Sequence, residues 1–186
     1  MTSSVVIRQL VVAALTGTTD AGANVFFART WPTQPDSYPI LMIPPLEENG
    51  ESWGPTGEPS FTVTTTLRVI ARVQEPAELE DAGAAAVAIA LETLRDQIKA
   101  AVINNPTLMG WGAPIQEFKH FRCMPHTTAN GEQPIGEMVV EIDMVFLQSS
   151  GSDFYQIPAV PLQGVDVTVL EPDGTTEPGL TINLPQ

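Results

Sequence analysis

Apolar and polar positions alternate most strictly over residues 60–73. Phe61, Val63, Thr65, Leu67, Val69, Ala71 and Val73 fall on one side, and Thr62, Thr64, Thr66, Arg68, Ile70 and Arg72 on the other, the period-two signature of a half-buried strand. Residues 137–147 repeat the pattern, with Met138, Val140, Ile142, Met144 and Phe146 on one face and Val139, Glu141, Asp143, Val145 and Leu147 on the other. If these strands are antiparallel neighbours, Arg68 and Arg72 share a face with Glu141 and Asp143, and opposite charges favour that register. Shorter strands are expected around 25–27, 39–43 and 114–124.

Helical spacing occurs twice. Ser3 or Ser4 can cap a first helix that runs to about Thr16, with Val6, Leu10, Ala13 and Ala14 on one face and Gly17 placed to end it. The second spans residues 77–103. Pro76 stands at its start, Glu78, Glu80 and Asp81 fill the first turn, Arg95 and Lys99 lie near the end, and Asn104-Asn105-Pro106 stops it. The stripe Leu79, Ala82, Ala86, Ile89, Leu94, Ile98 and Val102 is expected to face a core over about 40 Å. Its alanine-rich first half is slim, so a sheet can approach closely.

These elements imply an α+β fold: a mostly antiparallel sheet of four to five strands, packed by one short and one long helix, over residues 1–148. Residues 44–59 hold four prolines, three glycines, Glu47, Glu48, Glu51 and Glu58. No regular core element fits there, so an arm or long hairpin connection is expected. Trp53 at its middle is costly to expose alone; either a partner covers it or it folds back on its own domain. Ser149-Ser150-Gly151-Ser152 reads as a linker. Residues 149–186, rich in proline with two short apolar alternations, read as a C-terminal β-hairpin extension too small to build a core alone.

Charge narrows the function. Eight Lys plus Arg against 22 Asp plus Glu give a formal net charge of −14, which argues against a surface that grips nucleic acid phosphates. Charged residues are only 16% of the chain, below the roughly 25% usual in soluble domains, so much of the surface is neutral and suits burial against partners. A solvated acidic domain rich in Thr, Gln and Asn is the plainer alternative. Cys123 is the single cysteine, which excludes an intrachain disulfide and fits a reducing cytosol. No apolar run has the length of a membrane span or the form of a signal peptide, so a soluble, unexported protein is expected.

Little chemistry presents itself. His120, Cys123 and His126 have a metal-like spacing, but on a strand Cys123 points away from both histidines, so the three cannot converge. Glu141 and Asp143 could mimic a glycosidase carboxylate pair, yet that spacing is common on any exposed strand face. Glu47, Glu48 and Glu51 lack the ligand pattern of a calcium loop. No nucleophile elbow, phosphate-binding loop or dinucleotide fingerprint occurs. A non-enzyme without metal or cofactor is expected, with a small hydrolase or ligand-binding domain as the alternative.

The succession of a first helix, Val-Phe-Phe-Ala-Arg-Thr-Trp-Pro at 25–32, Pro-Ile-Leu-Met-Ile at 39–43, the threonine-rich strand, the long helix and the closing strand at 137–148 resembles the tail terminator proteins of tailed bacteriophages, also called minor tail protein U-like or tail completion proteins. The resemblance covers residues 1–148 and rests on element order and the Arg-Thr-Trp-Pro context; the tail after 149 lies outside it. It implies a structural virion protein, assembled in the host cytoplasm, that forms a ring, usually hexameric, on the head-proximal end of the tail tube. There it ends tube growth and joins the tail to the neck, with the tube protein and a head-completion or connector protein as partners and DNA passing through the lumen. Another neck or tail component, such as a head–tail connector or tube subunit, is the nearest alternative. Candidate contacts with subunits or partners are Trp31, Glu47, Glu48, Glu51, Trp53, Phe154 and Tyr155. Candidate channel-facing acids are Glu47, Glu48, Glu51, Glu141 and Asp143.

Overall fold

The computed structural model describes residues 2–27, 37–55, 57–76, 82–129, 134–154, 164–170, 172–174 and 176–183. Trp31, Tyr155 and the expected first turn of the long helix, including Leu79, lie outside the described residues. The chain divides into two compact units, Met1–Tyr155 and Gln156–Gln186.

The first unit is α+β. In chain order it contains α1 (Ser4–Leu15), β1 (Val25–Phe26), β2 (Ile40–Met42), β3 (Glu48–Ser52), β4 (Ser60–Gln74), α2 (Ala82–Ile103), β5 (Ile115–Ala129) and β6 (Pro134–Ser149). The sheet runs β1-β2-β4-β6-β5, with β3 paired to β4 beyond the end of β2. All pairings are antiparallel except β1 with β2. The two long alternating segments are neighbours, and Arg68 stands opposite Glu141 while Arg72 stands opposite Glu137. Arg68 therefore meets the acid its charge favours, and Asp143 faces Thr66 instead of an arginine.

The helices and sheet share one apolar layer. Val63, Leu67, Val69, Ala71 and Val73 of β4 join Met138, Val140, Ile142, Met144 and Phe146 of β6, and α1 and α2 close over them. Gly136 of β6 shows how near α2 comes. A methyl group there would meet Leu91 Cδ1 at 2.7 Å and would run into Val87.

The helix faces differ from the expected ones. The buried stripe of α2 is Gly83, Val87, Leu91, Leu94, Ile98 and Val102, whereas Ile89 is 66% exposed. Ile89 lies two residues past Val87, about 200° round the helix, and the alanines around it supply no phase information. In α1 the buried residues are Ile7, Val11, Ala14 and Leu15, while Val6 and Ala13 are exposed. The helix is apolar nearly all round, so only tertiary packing selects the face. Ser3 does cap it, its hydroxyl accepting from the Val6 amide at 3.4 Å.

Residues 44–59 also need correction. They contain β3, whose five residues pair in register with Phe61–Thr65, so the sheet has a sixth strand. All five residues are exposed, and no alternation could mark a strand whose pairing rests on main-chain bonds at a sheet edge. The Thr65 hydroxyl, itself buried, donates to the Glu47 carbonyl at 2.7 Å and fixes the entry to β3. Ser149–Ser152 is likewise no free linker. A π-helical turn, Ser150–Phe154, follows β6, and the Asp153 carboxylate accepts from the Ser149 amide at 2.9 Å and the Thr2 amide at 2.7 Å.

The second unit is a two-stranded antiparallel hairpin of β7 (Gly164–Leu170) and β8 (Thr176–Asn183). Among the described residues no helix is long and apolar enough to cross a membrane.

Candidate functional site

Because both helices lie on one side, the other face of the sheet has no helix among the described residues. Cross-strand pairing arranges that face in rows. Arg72 and Glu137 form one row with His126; Ile70, Val139 and Met124 the next; Arg68, Glu141 and Arg122 a third; Thr66, Asp143 and His120 a fourth. Arg68 Nη2 lies 2.8 Å from Glu141 Oε1, and Arg122 Nη2 lies 2.9 Å from Oε2. The Glu141 side chain is only 12% exposed between two arginines that are more than half exposed. Asp143 accepts from the Thr66 hydroxyl at 2.7 Å, with His120 Nδ1 at 4.0 Å.

Glu141 is thus a held charge. Burial pushes its carboxyl up, but hydrogen bonds from Arg68 and Arg122 outweigh that and bring it below the usual glutamate range. Asp153 is also lowered: burial opposes its charge, and donors from Ser152, Ser149 and Thr2 prevail. A carboxylate with a depressed folded value stabilises the fold above its unfolded pKa and loses that contribution as pH falls through the folded value. Acid titration of unfolding stability should therefore show a decline starting near pH 4.3. Glu141→Gln should make the decline shallower without abolishing it, because Asp153 remains. An unchanged slope in the variant would show that the two arginines do not hold the carboxylate.

The channel candidates divide. Glu141 and Asp143 sit in paired rows of the face, whereas Glu47, Glu48 and Glu51 are exposed along the β3 edge. Glu48 also accepts from the Ser4 amide at 2.6 Å, at the start of α1. Trp53, at the turn of the β3-β4 hairpin, donates from Nε1 to the Thr62 hydroxyl at 2.9 Å but remains 62% exposed. It leans on its own sheet without being covered. Phe154 packs edge-on against Phe61 with centroids 5.7 Å apart yet stays exposed.

Sequence reasoning missed the end of the sheet beside β5. Trp111 is fully exposed and Met109 is exposed close by, in the turn between α2 and β5. The signal was available: Trp111 stands between Gly110 and Gly112, and Gly112 has φ +77°, a turn with no core position. Phe121 on β5 is also exposed, with Lys99 Nζ 4.5 Å from its ring centre.

His120 and His126 lie in rows of the open face, whereas Cys123 pairs with Val140 on the helix side, so the three diverge as their spacing requires. Burial raises the Cys123 thiol above its usual pKa, partly offset by Lys99 and Arg95. It lines a cleft of about 330 Å³ with Leu91, Arg95, Pro125 and Met138. Among the described residues, no three His, Cys, Asp or Glu side chains come together to hold a metal ion. Neither protein-family models nor curated proteins give a match to this chain.

Proposed function

We propose that this chain is a structural subunit of a phage tail terminator: a ring on the head-proximal end of the tail tube that ends tube growth and joins the tail to the neck. The observation that carries the reading is the combination of element order with what the order leaves uncovered. The succession of helix, two short strands, long strand, long helix and closing strand is the one on which the resemblance rests. Among the described residues it leaves one sheet face without a helix, the β3 and β5 edges unpaired and Trp53 and Trp111 exposed, all suited to contact with other subunits. In this reading the chain is not an enzyme, is located in the virion neck, and meets copies of itself, the tube protein and a head-completion or connector protein.

A ring at this position has to let DNA through without holding it. At −14 per subunit, a ring multiplies the charge, and phosphates within about one Debye length, ~8 Å in physiological salt, are repelled. Glu47 and Glu48 suit the channel better than Glu141, whose charge two arginines already answer. The assembled protein is expected to bind no duplex DNA measurably at about 0.15 M salt. Reversing Glu47 and Glu48 to lysine should create binding that weakens steeply as salt rises. Tight binding by the unmodified assembly would contradict the reading and indicate a DNA-holding packaging component instead.

A further inference from the structure

Two free edges of the sheet, β3 and β5, differ in charge. From residue 30 to residue 67 the chain has no lysine or arginine, and β3 with its turn carries Glu47, Glu48, Glu51 and Glu58, all exposed. The opposite edge, β5, carries Lys119, Arg122, His120 and His126 against one acid, Glu117, and Lys99 of α2 reaches over its Phe121. Lys119 is exposed and makes no ion pair among the described residues. Neither β3 nor β5 has a second partner strand among the described residues. Unpaired edges of this kind are templates for strand addition.

We infer that the β3 edge of one copy pairs with the β5 edge of the next, so that the sheet continues from subunit to subunit. Strand direction permits it. β3 runs opposite to β4, β4 to β6, and β6 to β5, so β3 and β5 of one copy are antiparallel. A rotation about an axis parallel to the strands preserves that relation between copies, and every pairing at the junction stays antiparallel.

Local geometry sets the register. β5 is bulged between Ile115 and Glu117 and again between Phe118 and His120, and Pro125 offers no N–H. The regular run at 120–124 lies between these interruptions and can take residues 49–53 opposite it, with Glu48, the first residue of β3, against Pro125. Glu51 pairs with Thr62 on the open face, and Arg122 pairs with Glu141 on the same face. Matching faces in an antiparallel junction places Glu51 beside Arg122 and Trp53 beside His120. Lys119 then comes near the β3-β4 turn, where Glu58 lies. This covers Trp53, which its own domain leaves exposed, and assigns Glu51 to the contact. Such a contact is heterologous, the kind that closes into rings. It deepens the ring reading and rests on it only for closure.

Self-association of the full chain, followed by sedimentation across a concentration series, tests the contact. Glu51→Lys with Glu58→Lys, and separately Lys119→Glu with Arg122→Glu, should each weaken association by on the order of 100-fold, since both set like charges against each other. Circular dichroism checks that each variant folds; Lys119→Glu alone, on an exposed side chain, serves if the Arg122 change disturbs Glu141. Mixing the two double variants should restore assembly, because every junction of an alternating array again joins acid to base. Combining all four changes in one chain should do the same. Association that ignores both double variants, or a mixture that fails to recover, would overturn this contact while leaving a ring built by other surfaces. A chain that stays monomeric at every concentration would overturn the contact directly.

Discussion

Leu94→Ala is expected to lower the free energy of unfolding by about 2–5 kcal/mol, the range for large-to-small changes in a packed core. Leu94 is 1% exposed and belongs to the cluster that joins α2 to Leu67 and Val69 of β4 and Val140 and Ile142 of β6. The closeness of α2 to the sheet at Gly136 limits how far the helix can sink to fill the space, which favours the upper part of the range. Ile89→Ala is the matched control. Its side chain is 66% exposed, and its loss should stay within about 0.5 kcal/mol, as surface substitutions do. Urea titration of the two variants checks both. A near-zero loss for Leu94 together with a large loss for Ile89 would mean that the opposite face of α2 packs on the sheet.

That pair also marks where the fold was legible in the chain and where it was not. β4 and β6 could be read residue by residue, because one face is buried and the other carries Thr, Arg, Glu and Asp, so a slip of one position would invert both. Their pairing was only suggested by charge: Arg68 does stand opposite Glu141, whereas Arg72 stands opposite Glu137 and not Asp143. The phase of α2 could be read from Leu94 onwards, through Ile98 and Val102, but not across Gly83 to Ala90, where small residues give burial no preferred side. β3 was illegible because Glu-Asn-Gly-Glu-Ser has no apolar member, and its strand state comes from main-chain bonds to β4. The π-helical turn at Ser150–Phe154 is tied by Asp153 to the Thr2 amide, a contact between residues far apart in sequence that no local pattern encodes. Of the candidate contact residues, Trp53 and the β3 acids were found from composition. Lys119, Arg122 and Trp111 were not, because Lys119 and Arg122 become candidates only once β5 is placed at a sheet edge, and Trp111 only once its turn leaves it exposed.

Tube length tests the central claim most directly. An open tube end presents the same binding surface after every added subunit, so growth has no internal stop and continues until something with a different outer face occupies the end. If this chain is that component, tails assembled without it should grow far beyond their normal length and fail to acquire heads. Purified chain added during growth should restore a single length, and a label on the chain should appear in micrographs as one ring at the head-proximal end. Tails of normal length, joined to heads, that form in the complete absence of this chain would contradict the account.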